Sequence, residues 1–210
     1  MGDAELRIDP LTGANVVVTP WRQRRPNLPD GPCPFCPGGL EAPGPYDVRH
    51  IPNRWPALPD GRHEVVLHGP DHDASFPVLG EARTVLVVER WSARTQALGA
   101  RDDVAYVFVF ENRGRMIGST IDHPHSQVMA FGLIPPISKA ELSASTCDLC
   151  QDPGDDLIVT RRCGWQAVVP WAPRSSARAC SLIPSIRSRR RPSGEWLRRY
   201  TPVRDSRHDA

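Results

Sequence analysis

The chain has 210 residues, 40% of them hydrophobic, and a net charge of +2, which allows one substantial domain or two small ones around a real core. From Arg174 onward ten arginines stand against three acids, so the residues before Arg174 carry a negative balance. A mildly acidic domain with a basic tail is not the pattern of a nucleic-acid protein with a basic working face. No run approaches the roughly 18 apolar residues of a membrane helix, and the opening MGDAELRIDP has neither the basic nor the apolar region of a secretory signal. The expectation is a cytoplasmic protein with no nucleic-acid and no membrane partner.

Taken in chain order, Asn15 to Thr19 reads as a short strand, and Pro26 to Pro45 is too rich in Pro and Gly for regular structure. Residues 62–68 (RHEVVLH) read as a strand ending at the Gly69-Pro70 turn. Gly80 to Leu98 has a β-branched centre, as a buried strand would. Its charges nevertheless fall where a helix exposes them, and Val85, Val88, Trp91, Thr95 and Leu98 keep the 3.6-residue period over a length no typical strand reaches. The length decides for a helix closed by Gly99.

Residues 104–111 (VAYVFVFE) carry the strongest strand signal. A Gly-bearing loop from Asn112 to Asp122 follows. His125, Gln127, Met129 and Phe131 then alternate as one face of a further strand. Strands with a helix crossing between the first two give an α+β layer arrangement. Asp156–Thr160 and Gln166–Pro170 read as a hairpin that opens a second domain. Beyond Trp171 no period is sustained, and the segment reads as disordered. The expected organisation is a domain over 1–140, a linker and start of a second half over 141–173, and a basic, disordered tail over 174–210.

Four of the six cysteines form two C-x-x-C pairs, Cys33–Cys36 and Cys147–Cys150. Without an export signal a disulfide framework is not expected, and metal binding is the better reading. Cys33-Pro-Phe-Cys36 is flanked by prolines and Gly38-Gly39 and does not open a helix as a redox pair usually does. Its thiolates can grip a tetrahedral zinc, or iron. The remaining ligands could be Cys147 and Cys150, or histidines. His123-Pro-His125 would turn both rings to one face of an extended segment, one for metal and one for chemistry. Gly114 and Gly118 could offer backbone N–H groups to a phosphate. Gln127 shares the side of His125.

The stretches Phe110-Glu-Asn-Arg-Gly114, Ile117-Gly-Ser-Thr120 and His123-Pro-His-Ser-Gln127 together resemble the active-site signature of the galactose-1-phosphate uridylyltransferases, of the histidine-triad superfamily. Asp9-Pro-Leu11, the Trp21–Pro26 stretch, Cys33–Cys36, Pro52-Asn-Arg-Trp-Pro56, His63-Glu-Val65 and Gly69-Pro-Asp-His72 agree in order, so the resemblance covers roughly 6–173. It implies a histidine-triad-like antiparallel sheet with a packed helix, followed by an incomplete second half.

The resemblance also implies roles. His125 would be the nucleophile that takes the uridylyl group from UDP-glucose and passes it to galactose-1-phosphate. Gln127 would hold the α-phosphate of the intermediate. Cys33, Cys36, His72 and His123 would bind zinc (iron is the alternative), and tying His123 to metal would aim His125. Arg22, Arg25, Asn53, Trp55, Asn112, Gly118, Ser119 and Thr120 would line the nucleotide site. Cys147 and Cys150 resemble a second knuckle that some members carry.

The family normally has two such halves. Here the second begins at Trp165-Gln-Ala-Val-Val-Pro170 and loses its pattern at once, and the polar segment between Pro136 and Cys147 is not expected to hold the helix between halves. The chain would then need a separately encoded C-terminal half, or self-association, to complete its hexose-phosphate pocket. Two other readings compete. One is a histidine-triad-type nucleotide hydrolase or phosphorylase using the same His125. The other is an inactive, zinc-stabilised remnant or subunit.

Overall fold

In the computed structural model the described residues are 4–25, 31–114, 116, 119–145, 154–162, 165–169 and 181–184. The strands β1 (Glu5–Ile8) and β2 (Asn15–Val18) form an exposed antiparallel hairpin. Its turn is held by Asp9, whose Oδ1 accepts from the backbone N–H groups of Leu11 and Thr12. A short 3-10 turn, Pro20–Arg24, carries Arg22, and its Trp21 indole N–H donates to the Pro56 carbonyl at 3.3 Å.

The main sheet is built from β3 (Arg49–Pro52), β4 (His63–Leu67), β5 (Tyr106–Phe110) and β6 (His125–Phe131), all antiparallel, in the order β3-β4-β6-β5. The helix α1 (Glu81–Gly99) crosses between β4 and β5. This α+β arrangement is the one the sequence implies, with one strand more. β3 was not expected, because Arg49-His-Ile-Pro52 is mostly polar and ends in proline. It exists because an edge strand needs only one partner, and β4 supplies it.

The alternation of β4 and β6 sorts residues to two faces. On one, Val66, Val128 and Ala130 pack with Leu98 of α1 and with Val104. On the other, Val65 and Leu67 pack with Phe35, Ala42 and Ile51 from the N-terminal loops. The expected helix stripe holds at Trp91 and Leu98, which pack into the core, but Val87 is buried in place of Val85 and Val88, which are exposed. The sheet meets α1 along the line of Val87, Trp91 and Leu98. That line also carries Arg94, whose guanidinium makes two 2.7 Å bonds to the Glu64 carboxylate on the underside of β4.

The chain divides after Pro136 into two units. A helix α2 (Pro136–Ser143) forms where none was expected. In the second unit β7 (Ile158–Arg162), β8 (Trp165–Val168) and β9 (Ser181–Pro184) make an antiparallel sheet in sequence order. The first two are the expected hairpin. The strand β9 lies inside the segment expected to be disordered and corrects that reading for its four residues, which gain order by pairing with β8. The rest of that tail, with Cys147 and Cys150, lies outside the described residues. Among the described residues no helix is long and apolar enough to cross a membrane.

Candidate metal centre and nucleotide pocket

The Cys33–Cys36 knuckle turns back on itself so tightly that only glycine fits at position 39. A Cβ there would lie 2.5 Å from the Cys33 carbonyl oxygen and 2.8 Å from that of Cys36. The Gly39 N–H closes the turn on the Cys36 carbonyl at 2.8 Å. This presents both thiols to one point, where His72 and His123 meet them. The four ligand atoms all lie within 4.8 Å of one another. Cys36 Sγ is 3.5 Å from His72 Nδ1 and 3.6 Å from His123 Nδ1. Two sulfurs and two nitrogens around a tetrahedral zinc stand roughly 3.5 Å apart, given the usual bond lengths. The donor set and its spacing therefore fit a metal ion. Burial, and then the bond with Cys33, push the Cys36 thiol up to about 11, and a cation at the cluster is what would favour its thiolate.

His123 is held from behind. Its Nε2–H donates to the Gly69 carbonyl at 2.8 Å, with the Tyr46 hydroxyl 2.9 Å from the same nitrogen. That leaves Nδ1 free of a proton and aimed at the thiols, as a metal-ligating imidazole requires. Tyr46 itself donates to the Phe35 carbonyl at 2.6 Å, so one phenol links the knuckle to the histidine.

Phe35, between the two cysteines, joins this cluster to the second histidine. Its ring meets His123 edge-on at 6.2 Å and His125 at 5.2 Å. The Nδ1–H of His125 donates to the His123 carbonyl at 2.7 Å. A carbonyl can only accept, so Nδ1 carries the proton and Nε2 keeps its lone pair. Burial lowers the His125 pKa below the ordinary value, favouring the neutral ring at neutral pH.

His125 and Gln127 lie on the wall of a cavity of about 620 Å³. Arg22, Arg25, Asn53, Trp55, Asn112, Ser119 and Thr120 line it too. Every residue expected in the nucleotide site is therefore brought to one cavity, except Gly118, which lies outside the described residues. Arg22 is half-buried, and desolvation and then the nearby Arg25 charge make its protonated form more costly than usual. Two guanidiniums lining one partly dry cavity are able to attract an anion. Phe110, Val65 and Ile121 give the same cavity apolar walls.

Two residues in this region had no role assigned from sequence. Tyr46 sits in a Pro/Gly-rich loop where only its type marked it. His63 is fully buried on β4, with Nε2 2.8 Å from Gln127 Oε1. Alternation along β4 could have placed His63 on the face of Val65. Its meeting with Gln127 depends on the β4–β6 register, which no local pattern encodes.

An antiparallel sheet with a helix on one face and a histidine pocket on the other is a histidine-triad-like architecture, here with a Cys2His2 cluster able to hold a metal beside the pocket. Residues 53–135 match the family model described as galactose-1-phosphate uridyl transferase, N-terminal domain. The chain is 32% identical to the galactose-1-phosphate uridylyltransferase of Thermotoga maritima over 81% of its own length and 63% of that protein's. It is 25% identical to the ADP-glucose phosphorylase of Arabidopsis thaliana, over 80% of this chain and 62% of that protein. A solved uridylyltransferase structure superposes with a TM-score of 0.69 at 28% identity, over 79% of this chain and 61% of that one. The first unit of the chain is thus similar to the N-terminal domain of the galactose-1-phosphate uridylyltransferases. The chain spans less than two thirds of the length of each of these relatives.

Proposed function

We propose that this chain forms the nucleotidyl-accepting half of a UDP-glucose–hexose-1-phosphate uridylyltransferase, with His125 as the nucleophile. The observation that carries the reading is the 2.7 Å bond from His125 Nδ1–H to the His123 carbonyl, which leaves the Nε2 lone pair on a residue of the cavity wall. Nε2 attacks the α-phosphorus of UDP-glucose. The N–P bond forms, the bond to the bridging oxygen breaks, and glucose-1-phosphate leaves with the electron pair. The ring becomes cationic as it is uridylylated, and the His123 carbonyl facing Nδ1–H stabilises that charge. In the second step a phosphate oxygen of galactose-1-phosphate attacks the same phosphorus, the N–P bond breaks, and neutral His125 returns.

Gln127 holds the α-phosphate, and Arg22 and Arg25 neutralise the diphosphate. Asn53, Trp55, Asn112, Gly118, Ser119 and Thr120 complete the nucleotide site. Cys33, Cys36, His72 and His123 hold zinc, with iron the alternative. The ion supplies a fixed point that locks the segment carrying His125, and no step runs through it. The thiol ligands suit the reducing cytoplasm. The hexose-phosphate side of the pocket is completed by a C-terminal half or by self-association.

The likeness to the Arabidopsis ADP-glucose phosphorylase supports a second reading, in which inorganic phosphate replaces the sugar phosphate as acceptor. Isolated uridylyl-protein chased with each acceptor separates the two. Release of UDP-galactose with galactose-1-phosphate, faster than UDP with phosphate or UMP with water, is expected. Preferential release of UDP would establish the phosphorylase, and release of UMP alone a hydrolase.

A further inference from the structure

We infer that His63 is a positioning residue that fixes the orientation of the Gln127 side-chain amide, turning its NH2 rather than its oxygen toward the phosphate site. The inference rests on the proposed role of Gln127 and goes beyond it, because the amide of a glutamine has two faces of opposite polarity and only one suits an anion.

The hydrogen-bond network decides which face. The Ala57 backbone N–H lies 2.9 Å from His63 Nδ1 and can only donate, so Nδ1 is an acceptor and carries no proton. The ring is fully buried, and burial lowers its pKa to about 4, so at neutral pH it is uncharged with its single proton on Nε2. That Nε2–H faces Gln127 Oε1 at 2.8 Å. Asn53 Nδ2 lies 3.0 Å from the same nitrogen but cannot take the proton. The Trp55 backbone N–H donates to Asn53 Oδ1 at 2.8 Å, which leaves the NH2 of Asn53 on the His63 side. Two backbone donors that cannot flip thus fix the histidine tautomer and the Asn53 amide, and the tautomer fixes Gln127.

With its oxygen committed to His63, Gln127 offers N–H donors to the cavity beside His125. Without His63 the amide could turn its oxygen toward the incoming phosphate, replacing attraction by repulsion where charge develops during transfer. Because Val65 of β4 pairs with Gln127 of β6, His63 reaches the amide diagonally across the two strands on one face of the sheet.

The test has two arms, both on the full chain. In the first, two-bond 1H–15N correlations of the histidine rings assign the His63 tautomer. The Nε2–H form is expected, and the Nδ1–H form would overturn the inference whether or not the chain transfers uridylyl groups. In the second, a double-mutant cycle of His63→Phe and Gln127→Ala reads the rate of His125 uridylylation by UDP-glucose. His63→Phe should slow it about tenfold in the wild-type background and less than twofold in Gln127→Ala, with His63→Gln restoring part of the loss through its own NH2 donor. An equal loss in both backgrounds would show that His63 acts only through general packing and sink the idea. If the wild-type chain forms no adduct, the failure belongs to the proposed transfer function, and the tautomer assignment still decides the inference.

Discussion

The two faces of the central sheet are made from alternate residues of the same strands, yet they do different work. Toward α1, β4 and β6 present Val66, Val128 and Ala130 to Leu98, with Ser126 accepting 2.6 Å from the Trp91 indole N–H and lying 3.1 Å from His68 Nε2. Toward the cavity, the neighbouring positions are His63, His125 and Gln127. Both faces bury apolar clusters, but the helix face carries few groups with chemistry to perform. The cavity face holds polar groups out of bulk water and depends on the knuckle, Phe35 and backbone carbonyls to keep them satisfied. The contrast teaches that chemistry and stability can be separated residue by residue along a single strand.

Removing the metal should have the largest effect, because it acts on the cavity face alone. The cluster ties the loop that carries Phe35 to the start of β6, alongside the Tyr46 and Phe35 contacts. Chelation, or Cys36→Ser, should cost on the order of 5 kcal/mol of stability and abolish uridylylation. Calorimetry of protein with and without metal checks the first, and adduct formation the second. Unchanged unfolding after complete metal removal would mean that the cluster braces nothing.

Next comes acid sensitivity, which involves both faces. Burial lowers the pKa of His63, on the cavity side, and of His68, on the helix side, to about 4. The unfolded chain takes up these protons near pH 6.5 and the folded chain does not, so the stability contributed by the neutral rings is present in full above pH 6.5. It is lost as pH falls from 6.5 to 4, by roughly 3 kcal/mol per ring. Urea unfolding across that window should show the slope, and His68→Leu should reduce it by up to one proton. An undiminished slope in that variant would contradict the assignment for His68.

A somewhat smaller effect sharpens the comparison from the helix side. Leu98→Ala should destabilise the fold by about 3 kcal/mol while leaving the uridylylation rate of the folded protein within a factor of two. A large loss of rate in protein that is still folded would mean that the faces are not independent.

The cavity face was the more legible of the two from sequence. The knuckle and His123-Pro-His-Ser-Gln127 are short and their residue types point to metal and histidine chemistry, whereas His72 of Gly69-Pro-Asp-His72 was marked as a ligand by the family resemblance alone. All four expected metal ligands meet, and the expected nucleotide residues that are described line one cavity. The helix face was less legible. Its stripe was read from the 3.6-residue period through Val85, Val88, Trp91, Thr95 and Leu98; Trp91 and Leu98 do reach the core, but Val85 and Val88 are exposed and Val87 is buried instead. What fixes that difference is tertiary, including the Arg94–Glu64 pair across to β4. The same limit hid β3 and β9, whose order comes from pairing with a neighbour, and His63, whose partner is set by strand register.

The measurement that bears most directly on the central claim is intact-protein mass spectrometry of the metal-loaded chain after incubation with UDP-glucose, with His125→Asn alongside. An acid-labile adduct of one UMP on the wild-type chain, missing from the folded variant, is the result the account predicts. An adduct that persists in His125→Asn, or none on wild-type protein even with the C-terminal half supplied, would contradict it.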